Sequence, residues 1–581
     1  MIETFNKFKS KKTIHFLRIS LYASIVGVAS GFGAVLFRLL IAFFHNLFFF
    51  GKISFKYNSN LHFTSPFGAW VIVIPVIGMF IIGFLTQRYA PEAKGYGVPE
   101  VMNAVLTNGG KIRPTVSLLK ILVTAVGIGS GESVGRVGPI VQIGASFGST
   151  LGQMLKLSPG DIILLVASGV AGGIAATFNA PIAGVLFAVE LILTEFSPRN
   201  FIPLIISSTI ATNIARIFLG SQPTFIVAGY TLKSSYEYIA YFVLGILSGF
   251  IAILFTKMLA KMEIKFDKLN ISPYIKPTIG GLAVGIVGYI LYLTSGHYYI
   301  FGVGYAFVTD VLTGKHIDLL ILLILLFAKM FATSISLGSG GSGGIFVPSL
   351  FVGAATGAAF GTVVHTLFPS ITASPAAYAL VGMVAVASGT TGATITSVVM
   401  AYKLTRSYEI ILPLMLGAVT SSFVSMFLYG YTMYTEPLWR RGSIVYYGRR
   451  SLDLFSMIFV KDVMLKDVGI VRLNDSIKKA KDVMKKYDIS KIIVVNEKNE
   501  PIGIVRCIDI EDKEETLSVE RFYTKMNVSL FENETLLNAL RQMEEYGTDV
   551  LPVVNENREI TGVLPAGVLR SAYLRRRTGL L

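Results

Sequence analysis

The sequence has little cysteine, little charge and few carboxylates in its apolar regions, and each shortage excludes a class of protein. A single cysteine among 581 residues excludes an intramolecular disulfide framework. Only 15% of the residues are charged whereas 53% are hydrophobic, which is too apolar for a soluble protein and typical of a multi-span membrane protein. Because the apolar segments offer few carboxylates, transport of a metal cation is disfavoured.

Clustered catalytic or metal-binding side chains are also lacking. The six histidines are scattered without the spacing of a metal site, and no catalytic constellation is visible. The net charge of +16 does not by itself indicate nucleic acid, because basic residues on the cytoplasmic side of a membrane protein give the same excess. We therefore expect no enzyme activity, no metal centre and no nucleic-acid partner.

Basic residues flank the apolar part of the chain at both ends. These are Lys7, Lys9, Lys11 and Lys12 before it and Arg440, Arg441, Arg449 and Arg450 after it. The positive-inside rule then predicts that both termini are cytoplasmic. The apolar region behind the lysines is too long for the core of a signal peptide, so we expect a multi-pass protein of the cell membrane without a cleavable signal.

Long apolar runs recur between these flanks. They are Leu17–Phe50, Ala69–Leu85, Ile162–Leu193, Tyr241–Phe255, Ile279–Leu293, Leu319–Phe331 and Ile410–Leu428. Many are too short or too rich in glycine to be simple spans of about 20 residues. The 57 glycines favour packed, broken or re-entrant helices instead.

The apolar part repeats itself. GSGESVGRVGPIVQIGASFGSTLG, which begins at Gly129, matches GSGGSGGIFVPSLFVGAATGAAFG, which begins at Gly338, at a constant offset of 209 (338 − 129). A weaker match pairs Phe178–Glu190 with Thr391–Lys403. This predicts two related halves, about 20–225 and 235–445, with a binding site near the membrane midplane. Close helix packing is the alternative explanation of the glycines in either segment alone.

Three glycine-rich breaks each precede an apolar helix: GYGVPE (Gly95–Glu100), GRVGP (Gly135–Pro139) and GGIFVP (Gly343–Pro348). Proline is tolerated at a helix start, and glycine lets the backbone approach a ligand closely. Each break therefore predicts a helix N-terminus inside the membrane, where free N–H groups and a partial positive charge suit an anion. Each such end contributes only about 0.3–1 kcal/mol, rising to about 2 when partly buried. Several together can replace a hydration shell and still release the ion.

Beyond residue 455 the composition becomes polar and a second repeat appears. IVVNEKNEPIGIV aligns with PVVNENREITGVL at an offset of 59 (553 − 494). The pattern predicts two cytosolic α/β units of about 60 residues, each ordered helix, strand, polar turn, strand, helix.

Taken in order, the three breaks resemble the GSGIP, GREGP and GxFxP motifs of the CLC chloride channel/transporter family, and the polar pair resembles the tandem CBS domains of many members. The resemblance covers nearly the whole chain. It implies an all-α polytopic membrane domain of two inverted repeats with broken helices, followed by an α/β cytosolic CBS pair. It also implies a homodimer with one anion pathway per subunit. The expected parts are a cytoplasmic N-terminal segment 1–18, the membrane domain 19–445, a linker 446–456 and CBS domains 457–515 and 516–577.

The resemblance implies four chloride-binding positions, at Tyr96, the amides of Ile345 and Phe346, and Tyr434, with Tyr431 as an alternative to Tyr434. Tyr96 stands where GSGIP has serine. A phenol also donates one hydrogen bond, but it is larger, so selectivity among chloride, nitrate, bromide and fluoride stays open. We expect the hydroxyls of Tyr96 and Tyr434 to face each other and to contact one anion.

The gate motif departs from the family. Val137 replaces the movable glutamate of GREGP, between Arg136, which is expected to stabilise the local fold and field, and Gly138. Leu191 replaces the inner glutamate of the exchangers, next to Glu190. Neither valine nor leucine can bind a proton. The substitutions favour a passive anion channel over the two alternatives, a proton-coupled antiporter of the same fold and a CBS-regulated divalent-cation transporter.

Two further positions have alternative interpretations. Glu132, five residues before the gate, is either a locally bonded loop residue or a substitute for the gate. In the CBS pair, Asp509 and Ile492 match positions that bind ribose and adenine in the family, whereas Val568 leaves the second unit without the acid. The pair therefore either binds one adenine nucleotide (ATP, ADP or AMP) or is purely structural. No other cofactor is expected.

Overall fold

A computed structural model describes residues 2–193, 198–221, 225, 232–405, 410–441, 458–466, 469–487, 490–526 and 528–569. The chain divides into two compact units, Met1–Ile444 and Val445–Leu581. The described part of the first unit is helical and that of the second combines strands and helices, which confirms the predicted fold class.

The first half of the helical unit runs from α1 to α8. Its helices are α1 (Ile2–Phe50), α2 (Val73–Tyr89), α3 (Val98–Thr107), α4 (Pro114–Gly129), α5 (Val137–Met154), α6 (Pro159–Phe178), α7 (Pro181–Phe187) and α8 (Pro198–Leu219). A π-helical segment, Ala188–Leu193, continues α7.

The second half repeats this order from α9 to α16. Its helices are α9 (Glu237–Lys268), α10 (Ile275–Ser295), α11 (Tyr305–Leu312), α12 (Leu319–Gly338), α13 (Phe346–Leu367), α14 (Pro375–Thr391), α15 (Thr394–Thr405) and α16 (Ile411–Leu428). A short helix, α17 (Glu436–Arg440), follows.

Nine helices in the described residues are long and apolar enough to cross a membrane, whereas α4, α14 and α7 with its π-helical continuation are shorter. The apolar elements therefore include helices too short for a simple span as well as long ones. A helix rises 1.5 Å per residue, so the seven residues of α7 cannot span a hydrocarbon core of about 30 Å.

The two halves meet at a backbone bridge between repeat-equivalent glycines. The N–H of Gly135 donates to the carbonyl of Gly344 at 2.7 Å, and the N–H of Gly344 donates back at 2.6 Å. The bridge is antiparallel, and the two glycines are separated by the repeat offset of 209 (344 − 135). When a residue pairs antiparallel with its own repeat mate, a pseudo-two-fold axis between inverted halves passes between the two residues, which is the expected arrangement.

The second unit contains two small sheets. One has the order β1 (Ile470–Arg472), β2 (Lys491–Val495), β3 (Pro501–Arg506) and β4 (Thr524–Lys525), and the other has the order β5 (Leu530–Phe531), β6 (Val550–Val554) and β7 (Ile560–Pro565). In each sheet the first strand pairs parallel with the second, and the second pairs antiparallel with the third. Helix α18 (Ile477–Tyr487) connects β1 to β2, α19 (Cys507–Ile510) follows β3, and α20 (Leu536–Tyr546) connects β5 to β6.

Each helix of this unit packs its apolar face on its own sheet. Ala480 and Met484 of α18 lie in one core, and Ala539 and Met543 of α20 lie in the other, as the helical spacing predicts. Strands β1 and β5 were not predicted from the sequence, because strands of two or three residues are too short to show alternation.

Candidate functional site

The three helix starts converge. A Cβ at Gly138, in the first turn of α5, would overlap the carbonyl oxygen of Tyr96, which precedes α3. A Cβ at Gly344, which precedes α13, would lie 2.6 Å from the amide nitrogen of Gly138. Gly97 has φ +83°, a conformation that favours glycine, and its Cβ position is 2.5 Å from the carbonyl oxygen of Gly138. Only glycine permits this approach, so the predicted breaks form one site.

None of these helices has a side-chain cap. No side-chain atom of the N-cap residues Gly97, Arg136 and Ile345 accepts a hydrogen bond from the first turn, whereas the Ser158 hydroxyl accepts from the amide of Asp161 at the start of α6. Ile345 and Phe346 are fully buried. Buried amides without a capping oxygen at a helix N-terminus suit an anion. The structure therefore places these two predicted residues where their amides can serve as donors.

Tyr434 lies in a fixed segment between α16 and α17. The amide of Met433 donates to the carbonyl of Thr390 at 2.8 Å, which anchors the segment to the end of α14. The Tyr434 side chain is fully buried, and its hydroxyl has no hydrogen-bond partner in the protein. An unsatisfied buried hydroxyl costs about 1–3 kcal/mol, so an anion that accepted this hydrogen bond would remove the cost.

Replacing Tyr434 by phenylalanine should weaken anion binding. The change removes one donor and keeps the ring, at a cost of about 1 kcal/mol for a neutral bond or 1.5–3 when the partner is charged. Chloride affinity should fall about fivefold to a hundredfold, which titration calorimetry of the purified protein can measure. Tyr431→Phe is the matched control, because Tyr431 packs against Tyr429 and Trp439. A loss of affinity in the control variant alone would assign the donor to Tyr431.

The Tyr96 side chain departs from the expectation. Its hydroxyl donates to the carboxylate of Glu263 in α9, which also pairs with Arg440. A phenol has one donor, so the hydroxyl has none left for an anion in this arrangement. In this arrangement the Tyr96 and Tyr434 hydroxyls share no partner, and Tyr96 as a chloride-binding residue stays a prediction. The Tyr96 hydroxyl reaches Glu263 on α9 because a phenol extends beyond the position of a serine hydroxyl.

The gate residues are buried at the start of α5. Val137 is its first residue and is fully buried. The guanidinium of Arg136 lies 5.0 Å from the ring centre of Tyr305 and 5.7 Å from that of Phe178. Arg136 thus packs on two aromatic faces, which is consistent with the structural role expected from the sequence.

Glu132 is fully buried, whereas a loop residue hydrogen-bonded locally would be expected at the membrane face. One carboxylate oxygen accepts from the amide of Ser342 at 3.1 Å, and the other has no partner. Gly127 and Gly341 make room for the carboxylate, since a Cβ at either would overlap it. Glu132 therefore connects the first half to the turn that leads into α13.

Glu190 and Leu191 occupy the π-helical continuation of α7. The Glu190 carboxylate accepts from the amides of Ile395 and Thr396, at 3.0 and 3.1 Å, and from the Thr396 hydroxyl at 2.8 Å. It therefore caps the first turn of α15 in the other half. Leu191 is buried and brings no titratable group to its position.

Two buried lysines, Lys120 and Lys329, were not predicted from the sequence as structural residues. Lys120 donates to the carbonyls of Ala93 and Gly95, both at 2.8 Å, and so holds the loop before α3. Lys329 donates at 3.0 and 2.9 Å to the carbonyls of residues 300 and 302, in the loop before α11. The repeat offset of 209 (329 − 120) pairs the two lysines, and this signal could have identified them.

The two candidate nucleotide-binding residues of the second unit, Asp509 and Ile492, lie in different environments. Asp509 accepts from the guanidinium of Arg506 at 2.8 and 3.0 Å, and these hydrogen bonds hold the pKa of its carboxyl below the usual value. Ile492 is buried in the core under α18, so its side chain does not line an open cleft. Val568 packs against the core under α20.

These features define a class, a multi-pass membrane protein in which broken helices from two inverted halves meet at their N-termini. The family model described as voltage gated chloride channel matches residues 78–426, and the CBS domain model matches 460–513 and 519–574. The chain therefore belongs to the CLC family of voltage-gated chloride channels and transporters, which carry anions.

Relatives include both channels and exchangers by name. A putative chloride channel protein ClcB-like of Ralstonia nicotianae is 32% identical over 60% of this chain and 81% of its own length. The H(+)/Cl(-) exchange transporter ClcA of Vibrio parahaemolyticus is 30% identical over 75% and 92%. Among solved structures, a slow cyanobacterial Cl-/H+ antiporter has 25% identity and a TM-score of 0.62, covering 74% of this chain and 99% of that one. A eukaryotic CLC transporter has 17% identity and a TM-score of 0.66, covering 96% and 98%, and shows the fold alone.

Proposed function

We propose that the protein is a passive chloride channel that conducts past the N-termini of α3, α5 and α13. The observation that carries the proposal is Val137 as the first residue of α5, at the point where the three helix starts meet. Leu191 likewise has no group that can bind a proton, at the position of the inner glutamate of the exchangers. Coupled exchange needs groups that bind and release a proton, and neither side chain can do so.

The proposal extends to assembly and orientation. A homodimer with one pathway per subunit follows from the family resemblance, and the basic flanks favour cytoplasmic termini and a cytoplasmic CBS pair. An adenine nucleotide at Asp509 stays a prediction. It is supported by an acid in α19, just after β3, and a ribose would have to displace the Arg506 guanidinium to reach it.

The alternative function is a proton-coupled chloride antiporter. It is favoured by the names of the Vibrio relative, an H(+)/Cl(-) exchange transporter, and of the cyanobacterial structure, a Cl-/H+ antiporter. Glu132 is an acid near the convergence of the helix starts, but it is bonded to Ser342 and connects the halves. A proton route through Glu132 would have to break that bond.

The reversal potential of the purified protein in planar bilayers should follow chloride alone. A tenfold chloride gradient should set it near 59 mV, the value for one uncompensated charge, and an added pH gradient should not move it. The Vibrio relative named as an exchange transporter, recorded in the same bilayers, is the positive control for coupling. A reproducible shift with the pH gradient would show that protons move with chloride and would favour the antiporter.

A further inference from the structure

Tyr96, Glu263, Arg440 and Glu436 form a bonded cluster that the proposed conduction does not use. The Tyr96 hydroxyl donates to the Glu263 carboxylate, whose other oxygen pairs with the Arg440 guanidinium. The Nε of Arg440 lies 2.8 Å from the Glu436 carboxylate. The Glu263, Arg440 and Glu436 side chains are 17%, 22% and 7% exposed. Because these groups are largely buried, salt screens their interactions weakly.

Three members of the cluster, Tyr96, Glu263 and Arg440, line a cavity of about 540 Å³ in the helical unit. The wall also includes Pro99 in the first turn of α3, Gly338 at the end of α12 and Pro437 of α17. These elements carry the first break, the approach to α13 and the segment after Tyr434. The cavity is therefore an approach to the candidate anion site, and we call it the α17-side mouth.

We propose that the Glu263 carboxylate gates the α17-side mouth by competing with the transported anion for the Tyr96 hydroxyl and the Arg440 guanidinium. This inference rests on the proposed channel function. A carboxylate and a halide are both anions, and both accept hydrogen bonds from hydroxyl and guanidinium groups. While Glu263 holds both donors, an entering anion finds them occupied and meets a like charge. When chloride is abundant, it displaces the carboxylate and takes the donors.

Other charged side chains also line this mouth. Arg441 lies 2.6 Å from the Glu100 carboxylate, and Lys94 lines the same cavity. Asp267 also lines it, one helical turn beyond Glu263 on α9. Neutralising Asp267 changes the charge of the mouth by the same amount as neutralising Glu263. It leaves the hydrogen bond from the Tyr96 hydroxyl to Glu263, and so the proposed competition, unchanged. Asp267 is therefore a matched control.

The test is Glu263→Gln in the full-length protein, recorded in planar bilayers. The amide keeps the shape and an acceptor oxygen but removes the competing charge. At low chloride the current should rise about tenfold, which corresponds to about 1.4 kcal/mol of lost competition. The parent current should rise steeply with chloride on the α17 side, and the variant should lose this dependence. Tyr96→Phe, which removes the shared donor and keeps the ring, should raise the current in the same direction, whereas Asp267→Asn should not.

Three results would overturn the gate. The first is unchanged current and chloride dependence in folded Glu263→Gln and Tyr96→Phe proteins. The second is an equal rise in Asp267→Asn, which would assign the effect to the general charge of the mouth. The third is a fall in current, which would mean that Glu263 keeps the phenol out of the pathway. The reversal potential, read in the same recordings, tests channel function separately, since it reports coupling and is insensitive to how often the mouth opens.

Discussion

Val137→Glu should reduce the chloride current at neutral pH by about tenfold to a hundredfold. The new carboxylate would stand at the start of α5 and compete with the anion for the amides of the converging helix ends. Hydrogen bonds to a charged group are worth about 1.5–3 kcal/mol, which sets this range. The carboxylate is charged above its pKa and neutral below it, so acidification through that pKa should restore the current. Single-channel recording over a pH series measures both effects.

Val137→Gln is the control for size. The amide has the same length as glutamate and no charge to titrate, so its current should not depend on pH in this way. If a folded Val137→Glu protein conducts like the parent at every pH, Val137 does not face the pathway, and the argument from its missing carboxylate fails.

Gly138→Ala should abolish anion binding and lower the thermal stability. The added Cβ would overlap the Tyr96 carbonyl oxygen, a backbone atom that cannot rotate away, and would lie 3.2 Å from the Cα of Gly344. Overpacking of this kind costs about 1–3 kcal/mol or more and would separate the helix starts. The melting temperature of the detergent-solubilised protein and its chloride affinity by calorimetry are the two readouts.

Gly160→Ala is the matched control for this substitution. Gly160 lies in the first turn of α6, and a Cβ there would meet open space. Alanine is a better helix former than glycine by about 1 kcal/mol, so this variant should be as stable as the parent or slightly more stable. Equal behaviour of the two variants would contradict the close approach at Gly138.

The breaks were predictable because they depend on backbone chemistry that the sequence displays. Glycine and proline at a helix start form a recognisable local pattern. The offset of 209 places this pattern at equivalent positions of both halves, which favours a functional site over close helix packing alone. The convergence of the breaks in space, and the free Tyr434 hydroxyl, could be inferred only through the family resemblance. The uncapped amides follow from the same residues, since glycine, arginine and isoleucine at the N-cap have no side-chain oxygen that could accept a hydrogen bond from the first turn.

Long-range side-chain partners were not predictable. Tyr96 meets Glu263 across 167 residues, and Arg440 meets it across 177. Nothing local marks Glu263 among the charges at the end of α9. Similarly, the bond from Ser342 to Glu132 depends on how the halves pack. Such contacts are set by tertiary geometry, and periodicity carries no information about them.

The self-pairing of Gly135 with Gly344 has a consequence for the direction of flow. Around that axis Gly135 matches Gly344 and Lys120 matches Lys329, so the backbone framework is similar when viewed from either side of the membrane. The residues at the helix starts do not match, since Val137 corresponds to Phe346 under the offset of 209 (346 − 137). A symmetric frame with an asymmetric lining presents different chemistry to an ion arriving from each side. Any difference between inward and outward anion flow therefore arises from a few side chains at the helix starts and not from the symmetric backbone framework.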